Sequence, residues 1–142
     1  MLEVNGSGMP VDGASNDAPT TQSAALRVLV VDDEPLIGTT LRILLDDHDV
    51  EVVTSGRAAQ KVLAEGAFDV VLCDLMLDDL SGMELSAWLD EARPDLKEHV
   101  IFMTGGAFTE EARTFLRGVP KGRQLEKPFS AAEIQDLLAQ FA

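Results

Sequence analysis

Val-Val-Leu-Cys-Asp, residues 70–74, is an apolar run that ends in a carboxylate. An almost uniformly apolar run of this length is typical of a strand covered on both faces, as in a parallel sheet flanked by helices. From Leu26 onward, similar runs alternate with segments in which apolar residues recur at helical spacing. This alternation predicts repeated strand–helix units and therefore an α/β fold.

The alternation predicts five strands and five helices. We expect the strands near residues 27–31, 50–53, 69–73, 99–103 and 122–125. Two helix starts are marked independently of the apolar pattern, because Ser81 with Glu84 and Ser130 with Glu133 have the spacing of a capping box. Pro35 fits the first turn of the first helix.

Length and composition fit one folded domain. The chain has 142 residues, and residues 1–25 contain no Lys or Arg and no apolar period, so we expect a flexible tail or linker there and one domain at 26–142. The net charge of −14 opposes direct binding to nucleic acid or to an anionic membrane surface. Since no stretch of about 18 apolar residues occurs, we expect a cytoplasmic protein.

Five polar residues lie where apolar runs end. Asp32 and Asp33 follow the first run, Asp74 closes the third, and Thr104 and Lys127 follow the last two. The carboxyl ends of parallel strands meet in one crevice, so we expect these side chains to converge. Clustered carboxylates need a proton or a cation at neutral pH, and oxygen ligands suit Mg²⁺. Lys127 and Thr104 would then bind an anionic group, which predicts a phosphoryl-acceptor site.

Each of these residues also has an ordinary structural explanation. An isolated Asp at a strand end is more often a helix cap or turn former than a nucleophile, and a Thr there is commonly a cap. The combination is much harder to attribute to capping, because it requires four strands that each end in a suitable side chain. The combination therefore favours a functional site.

These motifs together resemble the receiver domain of two-component response regulators. The resemblance rests on four matches: Val-Val-Asp-Asp-Glu at 30–34, Asp-Leu-Met-Leu with Gly82 at 74–82, Met-Thr-Gly at 103–105 and Lys-Pro-Phe at 127–129. It extends over about residues 26–142. It implies a flavodoxin-like, doubly wound parallel sheet of five strands in the order 2-1-3-4-5, with five helices.

The resemblance implies that Asp74 is the phosphoacceptor. The donor would be a histidine kinase or a histidine phosphotransfer protein, because the chain has no recognisable ATP site. Thr104 and Lys127 would bind the phosphoryl oxygens. Such a domain assists its own phosphorylation and dephosphorylation but is not otherwise an enzyme, and we expect a monomer.

The resemblance also implies a set of magnesium ligands. Asp32 and Asp33 would organise Mg²⁺ together with Asp74, and Met76 would contribute its backbone carbonyl. It further implies a cis peptide bond between Lys127 and Pro128, since only X-Pro bonds adopt this form at low cost.

Two positions depart from the family pattern. Gln124 stands three residues before Lys127, where many receivers have an aromatic residue whose rotamer reports phosphorylation. Asp78 stands four residues after Asp74, where proline is frequent, so the loop lacks a rigid residue and gains a charge. We therefore expect a small change on the output face, which suits a phosphorelay or sink domain or the receiver of a hybrid histidine kinase.

Two other classes of protein share parts of this pattern. A metal-dependent phosphohydrolase of the haloacid-dehalogenase type also uses a strand-end Asp, but with a second Asp two residues later, where this chain has Met76. A receiver that acts only as a scaffold is disfavoured because Asp33, Asp74, Thr104 and Lys127 are all present. The chain is expected to be a stand-alone receiver or part of a hybrid histidine kinase.

Overall fold

Five strands form one parallel sheet in the order β2-β1-β3-β4-β5. The computed structural model describes residues 25–105 and 109–142, so the tail predicted at residues 1–25 lies outside the described residues except for Ala25. The strands are β1 (Arg27–Val31), β2 (Asp49–Val53), β3 (Val70–Asp74), β4 (Val100–Gly105) and β5 (Gln124–Lys127). The predicted fold class and strand order are confirmed.

A helix follows each strand. The helices are α1 (Pro35–Leu44), α2 (Gly56–Glu65), α3 (Gly82–Ala92), α4 (Glu110–Arg117) and α5 (Ala131–Leu138). Short 3₁₀ turns lie at Pro94–Leu96, Lys121–Arg123 and Ala139–Phe141. Among the helices of the described ranges, none is long and apolar enough to cross a bilayer.

The central strand β3 is buried on both faces, as its apolar sequence predicts. Val71 and Cys73 belong to one apolar layer, which contains residues of α2, α3 and α4. Val70 and Leu72 belong to the opposite layer, which contains residues of α1 and α5. Successive side chains of a strand point to opposite faces, so helices on both sides of the sheet follow from this one run.

Capping side chains fix the starts of four helices, and Ser55 is the cap of α2. Ser81 and Ser130 form the predicted capping boxes with Glu84 and Glu133 at the start of α3 and α5. The Thr109 hydroxyl accepts a hydrogen bond from a first-turn amide of α4. Each cap satisfies backbone donors that the first helical turn leaves unpaired, so the loops before these helices end at defined positions.

The predicted ranges of four strands differ from the structure, by one residue for β2 and β3 and by up to two residues for β4 and β5. β4 continues to Gly105 because Thr104 and Gly105 pair in register with Glu126 and Lys127 of β5. β5 accordingly covers Gln124–Lys127 rather than 122–125, since the Lys121–Arg123 turn occupies the earlier positions. Thr104 and Lys127 therefore lie inside the sheet ladder, not beyond it.

Candidate functional site

The carboxyl ends of the strands bring the predicted site residues to one edge of the sheet. Asp32 follows β1, Asp74 is the last residue of β3, and Lys127 is the last residue of β5. Asp32 and Asp74 are only 1% and 7% exposed. Two carboxylates this deeply buried need compensation, because desolvation disfavours their charged forms.

Lys127 supplies that compensation. Its Nζ lies 2.8 Å from Asp32 Oδ2 and 3.2 Å from Asp74 Oδ2. Burial works against the charge on the ammonium group, but the hydrogen bond to Asp32 and the charges of both carboxylates outweigh it, so the pKa of Lys127 is raised. The lysine is therefore held in its cationic form between the two acids.

Local backbone contacts orient the same two carboxylates. Asp32 Oδ1 accepts a hydrogen bond from the Glu34 amide at 2.9 Å, and Asp74 Oδ1 accepts one from the Met76 amide at 3.0 Å. Each carboxylate thus uses one oxygen for its own following loop and the other for Lys127. This division restrains both side chains and leaves an unused lone pair on each of their oxygens.

Asp33 adds a third carboxylate. Oxygen atoms of Asp32, Asp33 and Asp74 all lie within 4.8 Å of one another. Burial raises the pKa of Asp32 even though Lys127 opposes the shift. Burial and then the neighbouring Asp78 raise the pKa of Asp33. Three acids face one lysine, so the cluster carries excess negative charge, and its oxygen-only donors suit a hard divalent cation.

Thr104 occupies the same edge from the strand between β3 and β5. It is the penultimate residue of β4 and is 9% exposed. Its register places it one residue beyond Met103, which pairs with Asp74. The strand order therefore brings Thr104 to the carboxyl end of the sheet beside β3, which ends in Asp74, as the sequence predicts.

Met76 lies in the loop that leaves β3, and its side chain is exposed. Its amide is bonded to Asp74, which holds this part of the loop against the cluster. The peptide bond between Lys127 and Pro128 is cis, as predicted. The role of the Met76 carbonyl as a metal ligand stays a prediction.

Two sets of contacts near the site were not predicted from the sequence. Gln124 Nε2 donates to the carbonyl oxygens of Leu116 at 3.1 Å and Val119 at 2.8 Å, which ties β5 to the end of α4. Asp79 accepts hydrogen bonds from the Gly56 and Arg57 amides of α2. No local signal reveals the Asp79 contacts, because its partners lie more than 20 residues away.

Sequence comparison finds a family that matches most of the chain. A sequence model described as "Response regulator receiver domain" matches residues 28–139. The transcriptional regulatory protein BtsR of Salmonella typhi is 36% identical over 114 residues, which cover 72% of this chain and 46% of BtsR. The sensor protein GacS of Pseudomonas syringae is 30% identical over 87% of this chain and 14% of GacS. The chain thus spans about half the length of BtsR, 46%, and a smaller share of GacS.

Structural comparison agrees with the sequence match. A response regulator receiver domain protein from Clostridium thermocellum superposes with a TM-score of 0.69 at 26% identity, covering 81% of this chain and 92% of that one. The receiver domain of a Pseudomonas aeruginosa sensor histidine kinase superposes with a TM-score of 0.68 at 23% identity, covering 83% and 98%. That domain was solved with a magnesium ion coordinated in its active site cleft.

Proposed function

Because the chain belongs to the response regulator receiver domain family of two-component systems, we propose that it accepts a phosphoryl group on Asp74. The observation that carries this proposal is the contact of one lysine, Lys127, with both Asp32 and Asp74 beside a third carboxylate. That arrangement joins a nucleophilic carboxylate, a cation for phosphoryl oxygens and a set of oxygen ligands for a metal.

The proposed reaction is a displacement at phosphorus. An oxygen of Asp74 attacks the phosphorus atom of a phosphohistidine, a phosphorus–oxygen bond forms, and the imidazole nitrogen keeps the electrons of the broken phosphorus–nitrogen bond. Lys127 and the Thr104 hydroxyl stabilise the charge on the phosphoryl oxygens. Water later attacks the phosphorus atom, the phosphorus–oxygen bond to Asp74 breaks, and inorganic phosphate leaves while the Asp74 carboxylate is restored.

Lys127 has a different partner before and after transfer. In the structure its ammonium group contacts Asp74 Oδ2 at 3.2 Å and Asp32 Oδ2 at 2.8 Å. When Asp74 becomes an acyl phosphate, the negative charge moves from the carboxylate to the phosphoryl oxygens. Lys127 then exchanges its contact with Asp74 Oδ2 for one with a phosphoryl oxygen, and it keeps its shorter contact with Asp32.

The acidic cluster fits the metal that this reaction requires. Asp32, Asp33 and Asp74 would hold Mg²⁺ with the Met76 carbonyl, and the remaining positions would be filled by water and a phosphoryl oxygen. Mg²⁺ would neutralise charge on the phosphoryl oxygens. The magnesium ion in the Pseudomonas aeruginosa receiver domain supports this assignment.

We place the phosphodonor, a histidine kinase or histidine phosphotransfer protein, on α1. Leu36 and Ile43 are 67% and 69% exposed, and they stand seven residues apart on α1, hence on one face. An exposed apolar pair on the helix that follows Asp32 and Asp33 is suited to a protein partner. Leu36→Gln, which adds no charge, should therefore slow transfer from a phosphohistidine protein but leave labelling by acetyl phosphate unchanged. Equal slowing of both reactions would argue against this surface.

Incubation with acetyl phosphate or a chromogenic phosphate ester separates the proposal from its rivals. A phosphoacceptor module gains one stable phosphoryl group in Mg²⁺, which intact-mass measurement detects, and does not turn over the ester. Continuous ester turnover would indicate a phosphohydrolase of the haloacid-dehalogenase type. Absence of any covalent addition in Mg²⁺, with the fold intact, would indicate a scaffold.

A further inference from the structure

The loop between β3 and α3, residues 75–81, is closed at its base. The Gly82 amide donates to the Leu75 carbonyl at 2.9 Å, so the two ends of the loop touch. A Cβ atom on Gly82 would lie 2.5 Å from the Asp74 carbonyl oxygen and 2.7 Å from Leu75 Cα. Only glycine permits this approach. The base of the loop is therefore fixed directly behind the acceptor Asp74.

The far end of this loop is held by a different element. Asp79 Oδ1 accepts from the Gly56 amide at 3.0 Å, and Asp79 Oδ2 accepts from the Arg57 amide at 3.1 Å. These are first-turn donors of α2 that have no partner inside the helix. Leu80 packs on the same turn, since a Cβ on Gly56 would lie 2.7 Å from Leu80 Cβ.

Asp79 is not the ordinary cap of α2. Ser55 fills that role, because its hydroxyl accepts from the Ala58 amide at 3.1 Å. Asp79 adds a second contact to the start of α2, and this contact attaches the loop that carries Met76 to that helix. Proline would restrict the backbone at position 78, but this chain has Asp78, so the loop depends on side-chain contacts for its shape.

We propose that Asp79 is a positioning residue for the divalent cation. Asp79 holds the outer end of the β3–α3 loop on α2, and Gly82 holds its base, so Met76 between them is kept beside Asp74. The inference rests on the proposed function, since it assigns Met76 to the metal. The Met76 amide stays bonded to Asp74 Oδ1, but the Met76 carbonyl belongs to the next peptide unit. Loss of the attachment to α2 therefore frees that carbonyl to turn away from the carboxylates and weakens cation binding.

Titration of the full chain with Mg²⁺, followed by amide chemical shifts, tests this role. Asp79→Ala should raise the dissociation constant on the order of tenfold, the usual effect of losing a residue that orients a metal ligand. Asp79→Asn keeps one acceptor oxygen and should give a smaller increase. Hydrogen exchange at the Gly56 and Arg57 amides should accelerate in both variants.

Two matched variants separate positioning from other effects. Ser55→Ala weakens the start of the same helix without touching the loop, and it should leave Mg²⁺ binding unchanged. Asp78→Asn removes an equal charge together with the contact between Asp78 and Asp33, so it sets an upper limit on the effect of one charge near the site. A loss of affinity in Asp79→Ala above that limit supports positioning.

Two outcomes would overturn the role of Asp79. One is wild-type Mg²⁺ affinity in Asp79→Ala with accelerated exchange at Gly56 and Arg57. The other is an equal loss of affinity in Ser55→Ala. Failure of the wild-type chain to bind Mg²⁺ would overturn the proposed metal site as well, so the two failures are distinguishable.

Discussion

Lys127 Nζ lies 2.8 Å from Asp32 Oδ2, although 95 residues separate the two in the sequence. Asp32 follows β1 and Lys127 ends β5, so their contact passes over the carboxyl ends of β3 and β4. Asp74 lies on that path and shares the lysine. Asp74, the proposed acceptor, therefore stands between an acid and a base whose positions depend on the whole strand order.

The Lys127 contact should contribute strongly to stability. Lys127→Gln leaves Asp32, whose side chain is fully buried, without its cationic partner. We expect the free energy of unfolding to fall by about 2–3 kcal/mol, as for other buried charged hydrogen bonds. Urea denaturation of this variant and of Lys121→Gln, an exposed lysine in the turn before β5, measures the difference. A loss no larger than that of Lys121→Gln would contradict the assigned contact.

Asp33 should lower the stability of the metal-free protein. Its native pKa is raised by burial and by Asp78, so the native state takes up a proton at higher pH than the unfolded state does. Asp33 therefore does not destabilise the fold below its unfolded pKa of about 3.9, where it is protonated in both states. It destabilises the fold increasingly as the pH rises through its native pKa.

Asp33→Asn should therefore be more stable than the wild-type protein at neutral pH, by about 1 kcal/mol, as is common when crowded charge is relieved. The gain should shrink as pH falls through the native pKa of Asp33, and the variant should lose Mg²⁺ binding. Thermal unfolding in chelator across a pH series measures the change in stability, and titration with Mg²⁺ measures the loss of binding. Asp46→Asn, at an exposed acid, is the control. A variant less stable than wild type at every pH would refute the explanation.

Gln124 should limit the structural change that phosphorylation causes on the face formed by α4, β5 and α5. Its amide holds two carbonyl groups at the end of α4, and it has no ring that could move inward when Thr104 approaches a phosphoryl group. With a beryllofluoride mimic, we expect the largest amide shift changes in the loops around Asp33 and Asp74. Gln124→Leu should enlarge the changes in α4 because it removes both hydrogen bonds. Large wild-type changes confined to residues 108–142, together with a new dimer, would contradict this expectation.

The fold could be predicted because its signals are local. The apolar run of β3 indicates burial on both faces, and the parallel topology then places Asp74 at the same edge as Asp32. The capping boxes at Ser81 and Ser130 mark helix starts within four residues of sequence. In each case the sequence signal lies within or next to the element that it predicts.

Other parts of the site depend on contacts between distant segments. The boundaries of β5 were misplaced because a 3₁₀ turn at Lys121–Arg123 precedes it, which no apolar pattern marks. The attachment of Asp79 to Gly56 follows from how the β3–α3 loop lies on α2, and an exposed acid in an acidic loop gives no sign of it. The residue types of the site were predictable, but the contacts that hold its loops were not.

Identification of the phosphorylated residue tests the central claim most directly. After treatment with acetyl phosphate and Mg²⁺, intact-mass measurement should show one phosphoryl group, and reduction of the acyl phosphate with borohydride followed by peptide mapping should place it on Asp74. The addition should disappear with chelator and in Asp74→Asn, while Asp90→Asn, at an exposed acid on α3, should label like the wild-type chain. Labelling of Asp74→Asn to the wild-type extent, or a modification mapped to another residue, would contradict the account.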